Sequence, residues 1–566
     1  MCVYYCEMSN RKRARIRLAG AVVMSLVALN TVAQVFASNG TASSSATSSA
    51  TPNKTSSSPN QSRGQHSFSR PKLVLSIVVD QLRTDYIEYL QELMGEGGFR
   101  RLINEGVYMR DVDFGTSGLD PVSASALIYT GAYPNVNGVT GKSHYDPSAL
   151  RSVQTLYSSG GYSPENLKLS TFADEIGIDS GGLSIIFSIA ADPQQAVVMS
   201  GHSGSGALRI DQERGNWSLI PYYGSNAQAS MLLSRRPALS ARLDTMQWAP
   251  LLPDLNQYPG IPAQKRYYPF RHIFSTKLRD AYTMFTQSAR SNEEITTLAI
   301  DVLQTMALGK RDAIDLLNIA YTAAPYKFVK DGDYRLELQD TYLRLDRQLA
   351  RLLQAVERYV GLDNTVILIS STGYYNDATP VDPKYKIPSG DFSARKAMSL
   401  LNSFYSARYG NAEYVQAYEN GRFHLNRKLL QQRNISLSEA ADAGKDFLKK
   451  MSGVAQAYTA EELNTSVLSS LLKLQRITDP NSGGDIIIEV TPGWNLIDDT
   501  VVPTVTTPIR LSATETPAFL LAPNLPAETI NATVDATALA PTISRILRIR
   551  SPNGASSKPV KLNAGK

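Results

Sequence analysis

Continuous apolar runs are the feature of this chain that most constrains its fold. Residues Leu73–Val79 (LVLSIVV) are almost wholly apolar and end at Asp80. Similar runs recur at Leu183–Ile189, Thr365–Ile369 and Asp485–Val490. A strand is apolar along its whole length when helices cover both faces of a parallel sheet, so we predict that each run is a buried parallel strand.

Helical patterns separate these runs. Within residues 340–360, apolar side chains recur on one helical face at Leu345, Leu349, Leu352, Leu353 and Val356. This alternation predicts an α/β fold with a mostly parallel central sheet. Residues 217–295 and 385–484 interrupt it, and we expect both segments to be insertions over the C-terminal ends of the strands. Ligands bind at that edge of such sheets, so Asp80 and the turns after Ile189 and Ile369 should form any site.

The N-terminal residues 1–37 have the order of a secretory signal peptide. A basic cluster at 11–17 precedes the apolar run Leu18–Leu29, and Val35-Phe36-Ala37 gives small residues at the cleavage positions. The apolar run is shorter than the ~20 residues that a membrane anchor needs. We therefore predict export to the periplasm, the cell envelope or the medium, with no transmembrane segment after cleavage.

A polar tract at residues 38–70 follows, with 12 Ser and 4 Thr in 33 residues. It cannot bury enough apolar surface to offset the entropy of ordering, so we interpret it as a flexible linker. The folded domain is expected at 71–555, with a C-terminal tail at 556–566. Cys2 and Cys6 precede the apolar run, so the exported chain would contain no disulfide.

The charge of the chain argues against a nucleic-acid partner. Of 57 basic and 51 acidic residues, five and one fall in residues 1–37, which leaves 52 against 50. A surface that follows a phosphate backbone needs a real cationic excess.

Several motifs occur in one order from about residue 71 to 555: LSIVVDQLRTDY (75–86), GGFRRLINEGV (97–107), YTGAYPNVNG (129–138), GH (201–202), DLL (315–317), FHLNRKL (423–429), GW (493–494) and LAPTISRILRIRSPNG (539–554). The ordered set resembles the alkaline phosphatase superfamily, in particular its periplasmic single-chain phosphatases and its type I phosphodiesterase/nucleotide pyrophosphatase branch. The resemblance implies a three-layer α/β/α fold.

Enzymes of this superfamily use two zinc ions, each with three protein ligands, and a Ser or Thr nucleophile. By the resemblance, Asp80 matches the first zinc ligand. At the other family positions this chain has different residues. Pro121 stands in place of the nucleophile, Lys142 in place of the Asn that holds phosphate, and Asp192 and Gln194 in place of the Lys and Arg of a phosphate clamp. Pro325 and Val329 replace two zinc ligands of one loop, Ser371-Thr372 replaces the Asp-His of an Asp-His-Gly turn, and Glu515 replaces the final His.

The histidine content agrees with this departure. The five histidines are His66, His144, His202, His272 and His424, and none has a carboxylate at ligand spacing at the end of a predicted strand. Proline has no hydroxyl to attack phosphorus. We therefore predict a degenerate member, without zinc or another cofactor and without a catalytic residue, that acts by binding a protein, a glycan or a phosphorylated envelope component.

Two alternatives remain open at this point. The chain could be an active phosphomonoesterase or phosphodiesterase with a reorganised site that uses Asp80, a displaced nucleophile Ser123 and Glu515. It could also be a structural subunit of an envelope complex.

The retained Asp80 needs a structural role if no metal is present. A buried carboxylate is costly unless it is paired or hydrogen-bonded. One hypothesis is that the ammonium group of Lys142 replaces the charge of the metal. The other is that Asp80 caps the following helix. Tyr374 and Tyr375 could fill the vacated pocket.

Overall fold

The computed structural model describes residues 70–563, apart from 212, 331, 377–388, 481, 502–503 and 510–514. The predicted signal peptide and all but the last residue of the predicted linker lie outside these ranges. The described strands, in chain order, are β1 (Leu73–Asp80), β2 (Val107–Met109), β3 (Val112–Asp113), β4 (Ser143–Asp146), β5 (Arg151–Gln154), β6 (Tyr157–Ser158), β7 (Gly161–Tyr162), β8 (Ile186–Ile189), β9 (Gly206–Ile210), β10 (Trp217–Leu219), β11 (Gln247–Trp248), β12 (His272–Ile273), β13 (Asp315–Thr322), β14 (Thr365–Ser371), β15 (Asp391–Ser393), β16 (Val415–Glu419), β17 (Arg422–Leu425), β18 (Val454–Thr459), β19 (Ile486–Val490), β20 (Asn495–Asp498), β21 (Val505–Pro508), β22 (Ala518–Leu521), β23 (Glu528–Ile530) and β24 (Val534–Asp535).

The described α-helices, in chain order, are α1 (Thr84–Leu90), α2 (Phe99–Glu105), α3 (Pro121–Thr130), α4 (Pro134–Asn137), α5 (Phe172–Asp179), α6 (Pro193–Ser200), α7 (Ala227–Arg235), α8 (Leu239–Arg242), α9 (Ala263–Tyr267), α10 (Ala281–Thr286), α11 (Ala289–Thr305), α12 (Arg335–Tyr359), α13 (Ala394–Tyr409), α14 (Arg427–Gln432), α15 (Leu437–Leu448), α16 (Ala460–Thr465), α17 (Leu472–Ile477) and α18 (Leu539–Leu547). Within the described ranges, no helix combines the length and the apolar character needed to cross a bilayer.

In the described part of the chain, the central sheet has nine strands in the order β10-β9-β8-β13-β1-β14-β22-β2-β23. Five of its neighbouring pairs are parallel, including both pairs made by β1. The other three pairs, β10–β9, β14–β22 and β22–β2, are antiparallel. The predicted α/β class with a mostly parallel central sheet is therefore confirmed.

Strand β1 shows why the sheet is covered on both faces. Successive side chains of a strand point to opposite faces. Leu73, Leu75, Ile77 and Val79 join one hydrophobic core, together with residues of α1, α2, α11 and α12. Val74 and Val78 join a second core with residues of α3, α5, α6 and α18. The sheet thus lies between two helical layers, which confirms the three-layer arrangement.

The predicted helix within residues 340–360 is the C-terminal part of α12, and the five apolar residues that predicted its buried face are all buried. The apolar run at Asp485–Val490 was assigned to the wrong kind of sheet. Strand β19 pairs antiparallel with β17 and β18 in a separate four-stranded sheet, which has a third hydrophobic core. It is apolar because that smaller core also covers it, and a short apolar run does not distinguish the two cases.

The structure also moves the limits of the two predicted insertions. Trp217–Leu219 is the edge strand β10 of the central sheet, and α11 packs on the same core, so the first segment interrupts the fold only between them. The second segment continues past residue 484, because later strands pair with strands inside it. Strand β19 is in one sheet with β16, β17 and β18, and β20 and β21 are in one sheet with β15. In the C-terminal tail, Val560 and Leu562 pack against the second core.

Candidate functional site

Three neighbouring strands end at the edge of the sheet that carries Asp80. In the register of the sheet, Asp80 of β1 lies beside Thr322 of β13, and Val79 lies beside Ser371 of β14. The chain that leaves β14 then returns Thr372 and Tyr374 to Asp80. This is the edge at which open α/β sheets bind ligands.

Among the described residues, three neighbours donate hydrogen bonds to the carboxylate of Asp80. The hydroxyl of Tyr374 lies 2.9 Å from Oδ1, and the hydroxyl of Thr372 lies 3.1 Å from the same oxygen. The Nε2 amide of Gln81 lies 3.3 Å from Oδ2. We call this group, formed by Asp80, Gln81, Thr372 and Tyr374, the Asp80 cluster. Of the two tyrosines that follow the Ser371-Thr372-Gly373 turn, Tyr374 contacts the Asp80 carboxylate.

Gln81 holds the loop after β14 against β1. Its backbone N–H donates to Thr372 Oγ1 at 2.9 Å, and its side-chain Oε1 accepts from the backbone of Asn376 at 2.7 Å. Its φ of 59° lies in the left-handed region that side chains other than glycine seldom adopt. The hydrogen bonds of Gln81 to Thr372 and Asn376 offset the strain of that turn. They hold the loop that carries the two hydroxyl donors, Thr372 and Tyr374.

Electrostatic effects within the Asp80 cluster keep the hydroxyl of Tyr374 protonated. Burial raises the pKa of the Asp80 carboxyl, because a buried carboxylate loses its hydration. Its hydrogen bonds and the positive charge of Lys327 oppose this shift without cancelling it. Burial and the negative charge of Asp80 raise the pKa of Tyr374 well above its ordinary value, so this hydroxyl stays protonated and donates.

The hypothesis that Lys142 neutralises Asp80 is wrong. The ammonium group of Lys142 pairs with Asp192, whose charge raises the pKa of the lysine. Asp192 is held in place because it caps α6 by accepting from the backbone of Gln194 at 2.8 Å. Asp192 thus pairs with Lys142 in place of Asp80, and among the described residues Lys327 provides a positive charge that opposes the rise in the pKa of Asp80.

The hypothesis that Asp80 caps the next helix is also wrong. The N-cap position of α1 is Arg83, whose side chain makes no cap hydrogen bond. Asp80 Oδ1 instead accepts from Thr372 and Tyr374 in the loop after β14, and Oδ2 accepts from Gln81.

The position of the family nucleophile lies at the start of α3. Asp120 caps this helix, Pro121 is its first residue, and Ser123 completes a capping box. The Ser123 hydroxyl donates to Asp120 Oδ1 at 3.0 Å, accepts from the Asp120 backbone at 3.0 Å, and is inaccessible to solvent. In these contacts the Ser123 hydroxyl is part of the cap of α3.

Gln194, at a position of the family's phosphate clamp, is buried and bridges two backbones. Its Oε1 accepts from Leu156 at 2.8 Å and its Nε2 donates to the carbonyl of Lys142 at 3.0 Å. These contacts fasten the hairpin of β4 and β5 to α6, which is a structural role.

The remaining family positions lie in the loop after β13, at the end of β14 and just before β22. Pro325 and Val329 lie in the loop after β13, where Val329 packs against the first core. The Ser371 hydroxyl donates to the carbonyl of Leu82 at 2.7 Å. Glu515 is exposed, and its charge acts on Arg110.

The described histidines are each engaged elsewhere. His144 contacts Thr155, His202 contacts Asp174, His272 contacts Glu337, and His424 is buried against Tyr145. In the part of the chain that the structure describes, no three His, Cys, Asp or Glu side chains converge as a metal site requires. His66 lies outside the described residues.

Sequence reasoning singled out Asp80 and Tyr374 but missed the roles of Gln81 and Lys327. Thr372 was identified only as a replaced ligand position. No local pattern marks these residues as partners of Asp80, because Thr372 and Tyr374 are 292 and 294 positions away in the chain.

Comparisons with known proteins agree with this architecture. The family described as type I phosphodiesterase / nucleotide pyrophosphatase matches residues 74–183. Alkaline phosphatase PafA of Elizabethkingia meningoseptica is 25% identical over 530 residues, which cover 87% of this chain and 94% of that protein. Alkaline phosphatase PhoV of Synechococcus elongatus is 24% identical over 522 residues, which cover 87% and 92%. The crystal structure of wild-type PafA has the same fold, with a TM-score of 0.76 at 24% identity over 87% of this chain and 98% of that chain.

The fold and these matches support the alkaline phosphatase superfamily for this chain. Residues 74–183 carry the similarity to its type I phosphodiesterase / nucleotide pyrophosphatase branch.

Proposed function

We propose that this chain is a non-catalytic member of its superfamily that acts by binding. The observation that carries the proposal is the arrangement of hydrogen-bond donors on Asp80. Oδ1, an oxygen that a metal would need, accepts from both Thr372 and Tyr374. A carboxylate that binds zinc must turn its lone pairs to the ion at ~2.0–2.2 Å.

The chemistry of the neighbours supports the same reading. Thr372 stands at the family position of a zinc-binding histidine, and a protonated hydroxyl is a poor substitute for imidazole. The raised pKa of Tyr374 keeps its hydroxyl neutral. Pro121 stands at the position of the nucleophile, so a hydroxyl that could ionise there is lacking.

We propose further that the protein is exported and binds a protein, a glycan or a phosphorylated component of the cell envelope. The order of basic, apolar and small residues at the N-terminus supports export. Fold alone does not carry the hydrolase activity of relatives to this chain.

A metal and activity assay tests the proposal. The purified chain, expressed with zinc in the medium, is analysed for bound metal and for turnover of para-nitrophenyl phosphate and bis-para-nitrophenyl phosphate. We expect zinc far below one ion per chain and no turnover above that of Asp80→Asn. Two zinc ions per chain, with turnover that Asp80→Asn abolishes, would overturn the proposal.

An active alternative is favoured by the similarity to alkaline phosphatases over most of the chain. If it holds, Ser123→Ala or Glu515→Gln should remove the turnover, because these residues would form the reorganised site. Lys449→Gln, an exposed change, is the matched control and should leave turnover unchanged.

A further inference from the structure

A cavity of about 380 Å³ lies where the hairpin of β4 and β5 meets β16, β17 and α14. Its walls include Tyr145, Leu150, Gln416, His424, Arg427 and Asp485. Cavities of about 300–1,000 Å³ hold small organic ligands. The lining shares no residue with the Asp80 cluster, so this inference does not depend on the proposed loss of catalysis.

The walls of the cavity are fastened to each other. On the hairpin, Ser143 and Ser152 both donate to Glu419 of β16, at 2.8 and 2.6 Å. The hydroxyl of Tyr145 donates to Gln416 at 3.2 Å. The cavity is therefore formed before any ligand arrives, which lowers the entropy lost on binding.

His424 contributes an unused hydrogen-bonding atom. Its side chain lines the cavity and is 5% exposed, and its Nε2 has no hydrogen-bond partner among the residues that the structure describes. Its ring lies against that of Tyr145, with 4.0 Å between the ring centroids. Buried polar atoms in native proteins nearly always have a partner, and an exception calls for a bound molecule or another explanation.

The rim of the cavity carries a cationic excess. Arg427 and Lys428 provide two positive charges, and Asp485 provides one negative charge. Asp485 holds the guanidinium in place, because Oδ1 accepts from Nε at 3.0 Å and from Nη2 at 2.7 Å. Its Oδ2 accepts from the backbone of Leu425 at 2.7 Å, so this carboxylate is fully engaged.

We propose that this cavity binds a small organic anion with an aromatic or apolar body. The anionic group, a carboxylate or a phosphate monoester, would lie against Arg427 and Lys428. The body would pack on Tyr145 and Leu150, and a polar atom of the ligand would pair with His424 Nε2. Neither the position of Asp80 nor the family's catalytic positions take part in this site.

Calorimetric titration of the purified full chain tests the proposal with three probes. The probes are naphthyl phosphate, naphthoate and the neutral naphthylmethanol. We expect saturable binding of one or both anions and binding of the neutral alcohol that is at least about tenfold weaker, as the loss of a charge-assisted contact implies. Naphthoate has no ester bond, so its binding reports on the cavity even if the chain hydrolyses phosphate esters. If one of the two anions binds more tightly, that preference shows whether the cavity selects a phosphate monoester or a carboxylate.

Three variants locate the binding. His424→Phe keeps the ring against Tyr145 and removes the unused nitrogen, and Lys428→Gln removes a charge; each should weaken anion binding by about tenfold. Ser148→Trp places a large side chain at the exposed mouth of the cavity without touching a buried group, and should abolish binding. Lys449→Gln is the charge-matched control outside the cavity and should bind as the wild type does.

Two results would overturn the proposal. One is the absence of saturable binding of either anion at millimolar concentration by the folded wild type. The other is binding that Ser148→Trp and Lys428→Gln leave unchanged, since a site elsewhere would then account for it.

Discussion

The hydroxyl of Tyr374 offers the sharpest test of how Asp80 is stabilised. Tyr374→Phe removes the donor that lies 2.9 Å from Asp80 Oδ1 and leaves the ring in place. A hydrogen bond to a charged group contributes about 1.5–3 kcal/mol. Thr372 still donates to the same oxygen. We therefore expect Tyr374→Phe to lower the free energy of unfolding by about 2 kcal/mol at a pH above the folded-state pKa of Asp80.

The sign of the pH dependence follows from the pKa of Asp80. The pKa of Asp80 in the folded state lies above the unfolded value of 3.8, so ionisation of Asp80 destabilises the fold at a pH above the folded-state pKa. This penalty shrinks as the pH falls through the folded-state pKa, and it is gone below 3.8. Loss of the Tyr374 donor raises the folded-state pKa of Asp80 further, so the cost of Tyr374→Phe should be largest above that pKa and should shrink as the pH falls through it.

A double-mutant cycle in urea isolates the contact. Asp80→Asn removes the charge, so Tyr374→Phe should cost at least about 1 kcal/mol less in that background than in the wild type. Tyr267→Phe, at a ring that is 80% exposed, is the control for loss of a tyrosine hydroxyl and should have little effect. Equal costs of Tyr374→Phe in both backgrounds, at every pH, would refute the assignment of Tyr374 to Asp80.

Two further predictions concern groups away from Asp80. Burial lowers the pKa of His424 to about 3, while the unfolded chain takes up the proton near the ordinary value of 6.5. Above pH 6.5 His424 is neutral in both states and does not lower the free energy of unfolding. As the pH falls from 6.5 toward 3, the unfolded state takes up the proton first, so the free energy of unfolding falls by about 1.4 kcal/mol per pH unit. His424→Phe should make the fall of urea stability over this range shallower, and an unchanged slope would contradict the assignment. Ser123→Ala removes the capping box of α3 and should cost about 1 kcal/mol in the same urea titration; a variant as stable as the wild type would show that the box contributes nothing.

The sequence by itself determined the layered core of this protein. The apolar run Leu73–Val79 identified a buried strand, and the one-sided pattern of α12 identified a helix that covers it. A strand that is buried on both faces is apolar along its length, and a helix that is buried on one face is apolar at every third or fourth residue. The ordered motifs indicated the superfamily, and the family positions singled out Asp80. Tyr374 was noticed only because it follows a departure from the expected turn.

The tertiary structure alone decided which charges and hydroxyls meet. Lys142 pairs with Asp192 rather than Asp80 because the cap of α6 holds that carboxylate within its reach. Thr372 and Tyr374 reach Asp80 because the parallel register sets β14 beside β1, with Val79 opposite Ser371. Such pairings depend on how strands are placed next to one another across hundreds of residues. The period of a hydrophobic pattern shows which face of a strand or helix is buried. It does not show which other strand, helix or side chain lies against that face.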